Sequence, residues 1–179
     1  MPETTSTSLT TNWLSPSVFP SYSPLSAFTR TTQKVLCRKI STNFPELTAE
    51  DLIAKTSHKK VIGIGETGLD YYYDYAPRDL QIKLLREHIK AAQETGLPLI
   101  IHNRESDDDM IDILGESYKQ KPFSGEIHCF SSSKKLADFA LSIGFYLSAS
   151  GMITFNKCSE LREIFADLPL ERLLVETDS

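Results

Sequence analysis

From about residue 47 the hydrophobic positions fall into two alternating rhythms: short apolar blocks, then stripes at i, i+3 and i+7 separated by polar turns. Thr48 with Glu50 and Asp51 predicts a helix start, an N-cap followed by acids in the first turn, and that helix ends near 55–57. A strand is expected over 60–66, with His58 in the turn before it. Pro77 stands at the mouth of a helix over Arg78–Thr95, whose stripe is Ile82, Leu85, Ile89 and Ala92 and whose end is Gly96. His88 inside it reads as a surface or packing residue. The rhythm then repeats. A strand over 97–102 leads to a helix capped by Ser106 that turns Met110, Ile113, Leu114 and either Ser117 or Tyr118 inward. A strand over 126–130 leads to a helix opened by Ser133, striped by Leu136, Phe139, Ala140 and Ile143 and stopped by Gly144. A strand over 145–151 precedes a helix starting at Asn156 or Ser159, and a strand over 172–178 ends in acid.

Strand and helix alternating in this way predict βα units with right-handed crossovers and a parallel sheet. A doubly wound sheet and a barrel both satisfy that pattern. The barrel is preferred, because every strand ends in polar residues and only a barrel gathers them on one rim.

The first 46 residues have another character. Thr, Ser and Pro dominate, charge is sparse, and no period appears, so the segment is expected to be low-complexity and disordered or non-native. An organellar transit peptide is the alternative, suggested by Arg30, Lys34, Arg38 and Lys39 with Glu3 the only acid before Glu46. The expected domains are thus 1–46 and 47–179.

Composition narrows the function classes. With a net charge of −5 the 179 residues carry no basic stripe of the kind needed for a sequence-independent grip on nucleic acid, although phosphate can still be reached through metal ions. Cys37, Cys129 and Cys158 lack metal-finger spacing, and their odd number fits reduced thiols in a cytoplasmic setting. No apolar run approaches the roughly 18 residues of a membrane-spanning helix. The acidic trio Asp107, Asp108 and Asp109 could be taken for a metal cluster, but the positive end of a helix dipole is the simpler account.

The chemistry is expected where the strand ends meet. Glu66, His102, His128 and Asp178 would converge on one rim, a set suited to a divalent ion such as zinc, manganese or magnesium. A carboxylate can bridge two such ions about 3.5–4 Å apart, the usual arrangement for phosphodiester cleavage. Asp178 could accept the proton of the attacking water.

These residues also resemble a family. Gly-Glu-Thr-Gly-Leu-Asp at 65–70, Leu-Pro-Leu-Ile-Ile-His at 97–102, Ile-His-Cys-Phe-Ser at 127–131 and Leu-Leu-Val-Glu-Thr-Asp at 173–178 are similar to the TatD-type metal-dependent deoxyribonucleases, amidohydrolase-like barrels. The resemblance implies that Glu66 bridges two divalent metals, that His102 and His128 complete one site, and that Asp178 belongs to the other. It implies catalytic roles for Glu66 and Asp178 and hydrolysis of DNA as substrate. Arg104 would meet a phosphate or, equally, form a surface salt bridge. The chain departs from the family in lacking its first-strand His-x-His, since no histidine precedes His58, and Ser132 stands where glycine is common. It is therefore expected to hold roughly strands four to eight of an incomplete (β/α)8 TIM-type barrel, about 130 residues against the usual 250. One competent metal site is expected instead of two. Exposed sheet edges would favour self-association or a complementing chain. The low-complexity start reads as translation of a damaged or misread upstream region; upstream DNA without a frame encoding a His-x-His strand would sink that idea. Two other functions compete: an inactive or merely metal-binding remnant, and a hydrolase of another ester or amide.

Overall fold

In a computed structural model of the chain, the structure describes residues 47–58, 60–73 and 75–177. Thr48 opens α1 (Ala49–Thr56) through a reciprocal capping box: its hydroxyl accepts from the Asp51 N–H at 3.3 Å, and its own N–H donates to Asp51 Oδ2 at 3.2 Å. Such a cap stabilises a helix by about 1 kcal/mol. Then follow β1 (Ile64–Asp70), α2 (Arg78–Thr95), β2 (Leu99–Arg104), α3 (Asp107–Gln120), β3 (Gly125–Ile127), α4 (Lys134–Ser142), β4 (Tyr146–Ala149), α5 (Ser159–Ala166) and β5 (Leu173–Val175). Single 3-10 turns at Gly151–Thr154 and Leu170–Arg172, absent from the sequence reading, precede α5 and β5.

The five strands pair in chain order, all parallel, so each βα unit lands beside the one before it. This is an incomplete barrel wall with no switch point in its strand order, which excludes the doubly wound alternative for these residues. Among the described residues no strand pairs the outer edge of β1 or of β5.

Alternation divides the wall into two faces. Leu69, Leu99, Ile101, Ile127 and Leu147 point one way and are fully or almost fully buried with Leu85, Ile89, Met110, Leu114 and Leu136 of the helices. Each side chain of this size contributes about 1.5–3 kcal/mol by leaving water. His88 belongs to this packing: it is buried, its Nδ1 faces the Leu84 carbonyl at 2.7 Å, and burial holds its pKa below the ordinary value. The opposite face carries Glu66, His102, Glu126, His128 and Ser148. No helix among the described residues is long and apolar enough to cross a membrane.

Two expectations need correction. The first strand begins at Ile64, not at 60, and runs on to Asp70. Ladder bonding to β2 starts only with the Ile64 N–H on the Pro98 carbonyl, and Ile62, which looks like strand core in sequence, is half exposed. Ser106 precedes α3 as expected, but its hydroxyl does not cap it. It donates instead toward the Leu69 carbonyl at 3.1 Å and Asn103 Oδ1 at 2.8 Å, tying the ends of β1 and β2 together.

Candidate metal centre

Glu66 lies inside β1, where the register against β2 slips between Ile64 and Thr67. A bulge of this kind re-aims a side chain while the strand continues. Ile64 and Thr67 both remain on the buried face, and Glu66 is delivered to the other one. The flanking glycines allow this. A Cβ on Gly65 would stand 2.6 Å from the Ile100 carbonyl oxygen, and one on Gly68 would stand 1.8 Å from that of His102. Both also take a positive φ, 147° and 156°.

Gly68 is paired with His102 in the ladder, so the imidazole lies between the side chains two residues to either side of Gly68. His102 Nδ1 is 3.6 Å from Glu66 Oε1, and its Nε2 is 3.2 Å from Asp70 Oδ2. His128, just past β3, is held in a similar way. Its Nε2 is 3.5 Å from the same Glu66 Oε1 and its Nδ1 is 2.9 Å from Glu176 Oε2. Glu176 is fixed in turn by the Cys129 N–H and by Ser148.

Two imidazole nitrogens therefore approach one carboxylate oxygen at nearly equal distances. Ligands about 2.0–2.2 Å from a tetrahedral ion lie roughly 3.3–3.6 Å apart, and both Glu66–histidine spacings fall in that range. Each ring also presents its second nitrogen to a carboxylate, the arrangement that fixes the tautomer and raises the basicity of a metal-bound histidine. Glu66, His102 and His128 form the one group of metal-binding side chains found among the described residues.

Charge follows the geometry. Burial works against the charged form of His128, but hydrogen bonds to Glu176 and Glu66 and their charges outweigh it and push the pKa up to about 11. Burial likewise opposes the Glu176 carboxylate, yet the hydrogen bond and charge of His128, the Cys129 N–H and Ser148 hold it below the ordinary range. Glu126, on the same face, is lifted to about 7 by burial and by the charge of Glu176, with His128 pulling the other way. The site thus holds excess acid with the His128 imidazolium as an internal counter-ion, a balance that a bound cation can replace.

Of the residues expected from the sequence, Glu66, His102 and His128 meet. Asp178 lies outside the described residues. Arg104, two positions beyond His102, lies over the Tyr72 and Tyr73 rings in cation–π contact, with its guanidinium carbon 4.4 and 4.9 Å from the ring centroids. The acidic trio serves the fold. Asp107 accepts from Asn103 and Ser133, Asp108 from Lys135 and Asp109 from the Tyr71 hydroxyl. Asp70 and Glu176, which orient the two rings, did not emerge as site residues from the sequence. Their signal was period two: Asp70 shares a strand face with Glu66, and Glu176 stands two residues before Asp178.

Comparison with known proteins agrees with this architecture. The chain is 40% identical over 136 residues to the uncharacterized metal-dependent hydrolase YabD of Bacillus subtilis, covering 74% of this chain and 53% of that one. It is 40% identical over 130 residues to the uncharacterized metal-dependent hydrolase YcfH of Escherichia coli K12, covering 73% and 49%. The crystal structure of YjjV, a TatD homologue from Escherichia coli K12, superimposes with a TM-score of 0.67 at 31% identity, over 75% of this chain and 52% of that one. The chain spans about half the length of these relatives. Residues 39–179 match the family described as TatD related DNase. With the strand order, the glycine-flanked Glu66 and the two clamped histidines in place, the chain belongs to the TatD family of metal-dependent hydrolases.

Proposed function

We propose that this chain carries the metal-binding part of a deoxyribonuclease that hydrolyses DNA phosphodiester bonds. The observation that carries the reading is the convergence of His102 Nδ1 and His128 Nε2 on one oxygen of Glu66, at 3.6 and 3.5 Å on the open face of a barrel wall. Glu66, His102 and His128 would hold a divalent cation, magnesium, manganese or zinc. Such a cation, when bound, polarises a phosphoryl oxygen and lowers the pKa of water toward neutrality.

The protein's own groups then have separable tasks. Glu66 presents one oxygen to both histidine nitrogens, and a carboxylate can bridge two cations. Asp70 and Glu176 accept from the outer nitrogens of the rings and keep the inner ones free of protons for coordination. Arg104 stands on the same strand face as His102, suited to a phosphate. Asp178 takes the role of proton acceptor on its sequence position alone. A cytoplasmic location suits the cysteine usage.

The test is hydrolysis of single-stranded DNA compared with small carboxylic esters, with and without Mn²⁺ or Mg²⁺, alongside Glu66→Gln. Metal-stimulated nicking that Glu66→Gln abolishes supports the proposal. Ester turnover without nicking would assign the site to another hydrolysis. Folded protein that binds metal but turns over neither substrate would make the chain a metal-binding fragment.

A further inference from the structure

Immediately past Asp70 the chain carries Tyr71, Tyr72, Tyr73 and Tyr75, and they do not share one role. Tyr71 is engaged by the fold. Its hydroxyl donates to Asp109 at 2.6 Å, Arg78 lies 4.0 Å over its ring, and burial together with that hydrogen bond pushes its pKa up to about 12. The other three rings stand in solvent, with Tyr72, Tyr73 and Tyr75 exposed by 53%, 48% and 63%. They are nonetheless ordered against one another. Tyr72 meets Tyr73 edge-to-face at 4.8 Å, and Tyr73 stacks parallel to Tyr75 at 5.3 Å with 1° between the planes. Arg104 lies against both Tyr72 and Tyr73.

Clustered exposed aromatics beside a cation mark a binding surface more often than a packing one. Their position is specific. Asp70 Oδ2 faces His102, while Asp70 Oδ1 accepts the N–H groups of Tyr72 at 3.1 Å and Tyr73 at 2.9 Å. One carboxylate therefore orients a candidate ligand and anchors the tyrosine turn. Arg104 is two residues along β2 from His102, about 7 Å on the same face.

We propose that Tyr72, Tyr73 and Arg104 form a stacking subsite for an unpaired nucleobase of the nucleotide adjoining the scissile phosphodiester, with Tyr75 backing Tyr73. This rests on the nucleic-acid reading above. Every base has a π-face, so the subsite selects for a base without selecting which one. The guanidinium lies over the rings and can still offer N–H donors to the neighbouring phosphate. With a net charge of −5 the chain carries no broad basic surface, so stacking on a base would add to the hold that metal ions have on phosphate.

The test uses a fluorescein-labelled, hydrolysis-resistant phosphorothioate oligothymidylate and an abasic oligomer with the same backbone, both bound in Mn²⁺ and read by anisotropy. Wild-type protein should bind the base-bearing oligomer about tenfold more tightly. Tyr72→Leu and Tyr73→Leu should erase that preference, and Tyr73→Phe should keep it. Arg104→Gln should weaken both oligomers. Equal wild-type affinity for the two oligomers, or a preference that survives both leucine variants, overturns the subsite. If cleavage of ordinary DNA persists in that case, the nuclease reading stands alone. Base-dependent binding without cleavage upholds the subsite and overturns the hydrolytic reading. Absence of both binding and cleavage overturns both.

Discussion

His102 and His128 are held by the same device with different degrees of support. Each ring lies between Glu66 and a second carboxylate. For His102 that second carboxylate is Asp70, on the neighbouring strand, at 3.2 Å, with the ring side chain 27% exposed. For His128 it is Glu176, 48 residues onward and across β4, at 2.9 Å, with the ring 15% exposed. Glu176 is itself held by the Cys129 N–H and Ser148, whereas Asp70 spends its other oxygen on the tyrosine turn. One clamp is local and shared with a surface loop. The other closes across the sheet and is better shielded. The Asp70–His102 clamp is the more exposed of the two and the Glu176–His128 clamp the more shielded.

That contrast can be broken outright or graded. The largest effect belongs to the group common to both clamps: Glu66→Gln should lower metal affinity by more than about a hundredfold, measured by calorimetry. Gly68→Ala comes close behind, because its Cβ has no room beside the His102 carbonyl. It should displace β1 from β2, reduce thermal stability and remove metal binding together. The two outer carboxylates should differ from each other. Glu176→Gln is expected to weaken metal binding nearer a hundredfold and Asp70→Asn nearer tenfold, while Asp70→Asn also loosens the tyrosine turn. Equal losses would mean that shielding plays no part.

A graded effect is expected in pH. In metal-free protein His128 titrates near 11, above its ordinary value, so its proton stabilises the fold fully below about pH 6.5 and that contribution fades as pH rises through 11. A cation must displace this proton. Metal affinity should therefore rise roughly tenfold per pH unit between pH 6 and 8, with proton release seen as a buffer-dependent heat. In Glu176→Gln the slope should flatten.

Much of the site was legible because βα repetition places equivalent strand ends side by side. Glu66, His102 and His128 could be assembled from that alone. What stayed hidden depended on pairing in three dimensions. Val61, Ile62 and Gly63 have the composition of a strand, yet bonding to β2 begins only at Ile64, so the first strand moved and Asp70 joined the site. Glu176 reads as part of an acidic ending until Cys129 and His128 are seen beside it. Arg104 offered a phosphate contact or a salt bridge, and neither alternative anticipates a cation–π contact with two tyrosine rings.

The three candidate ligands come from β1, β2 and the residue just past β3, separated by 36 and 26 residues of chain (66 to 102 and 102 to 128). An ion that joins them acts as a rivet through the wall. It closes two long loops at once, and opening of any one strand then requires releasing it. Amide exchange in β1, β2 and β3 should slow as a single cooperative block on metal addition, by the same factor in each, while the outer helix α5 keeps its metal-free rate.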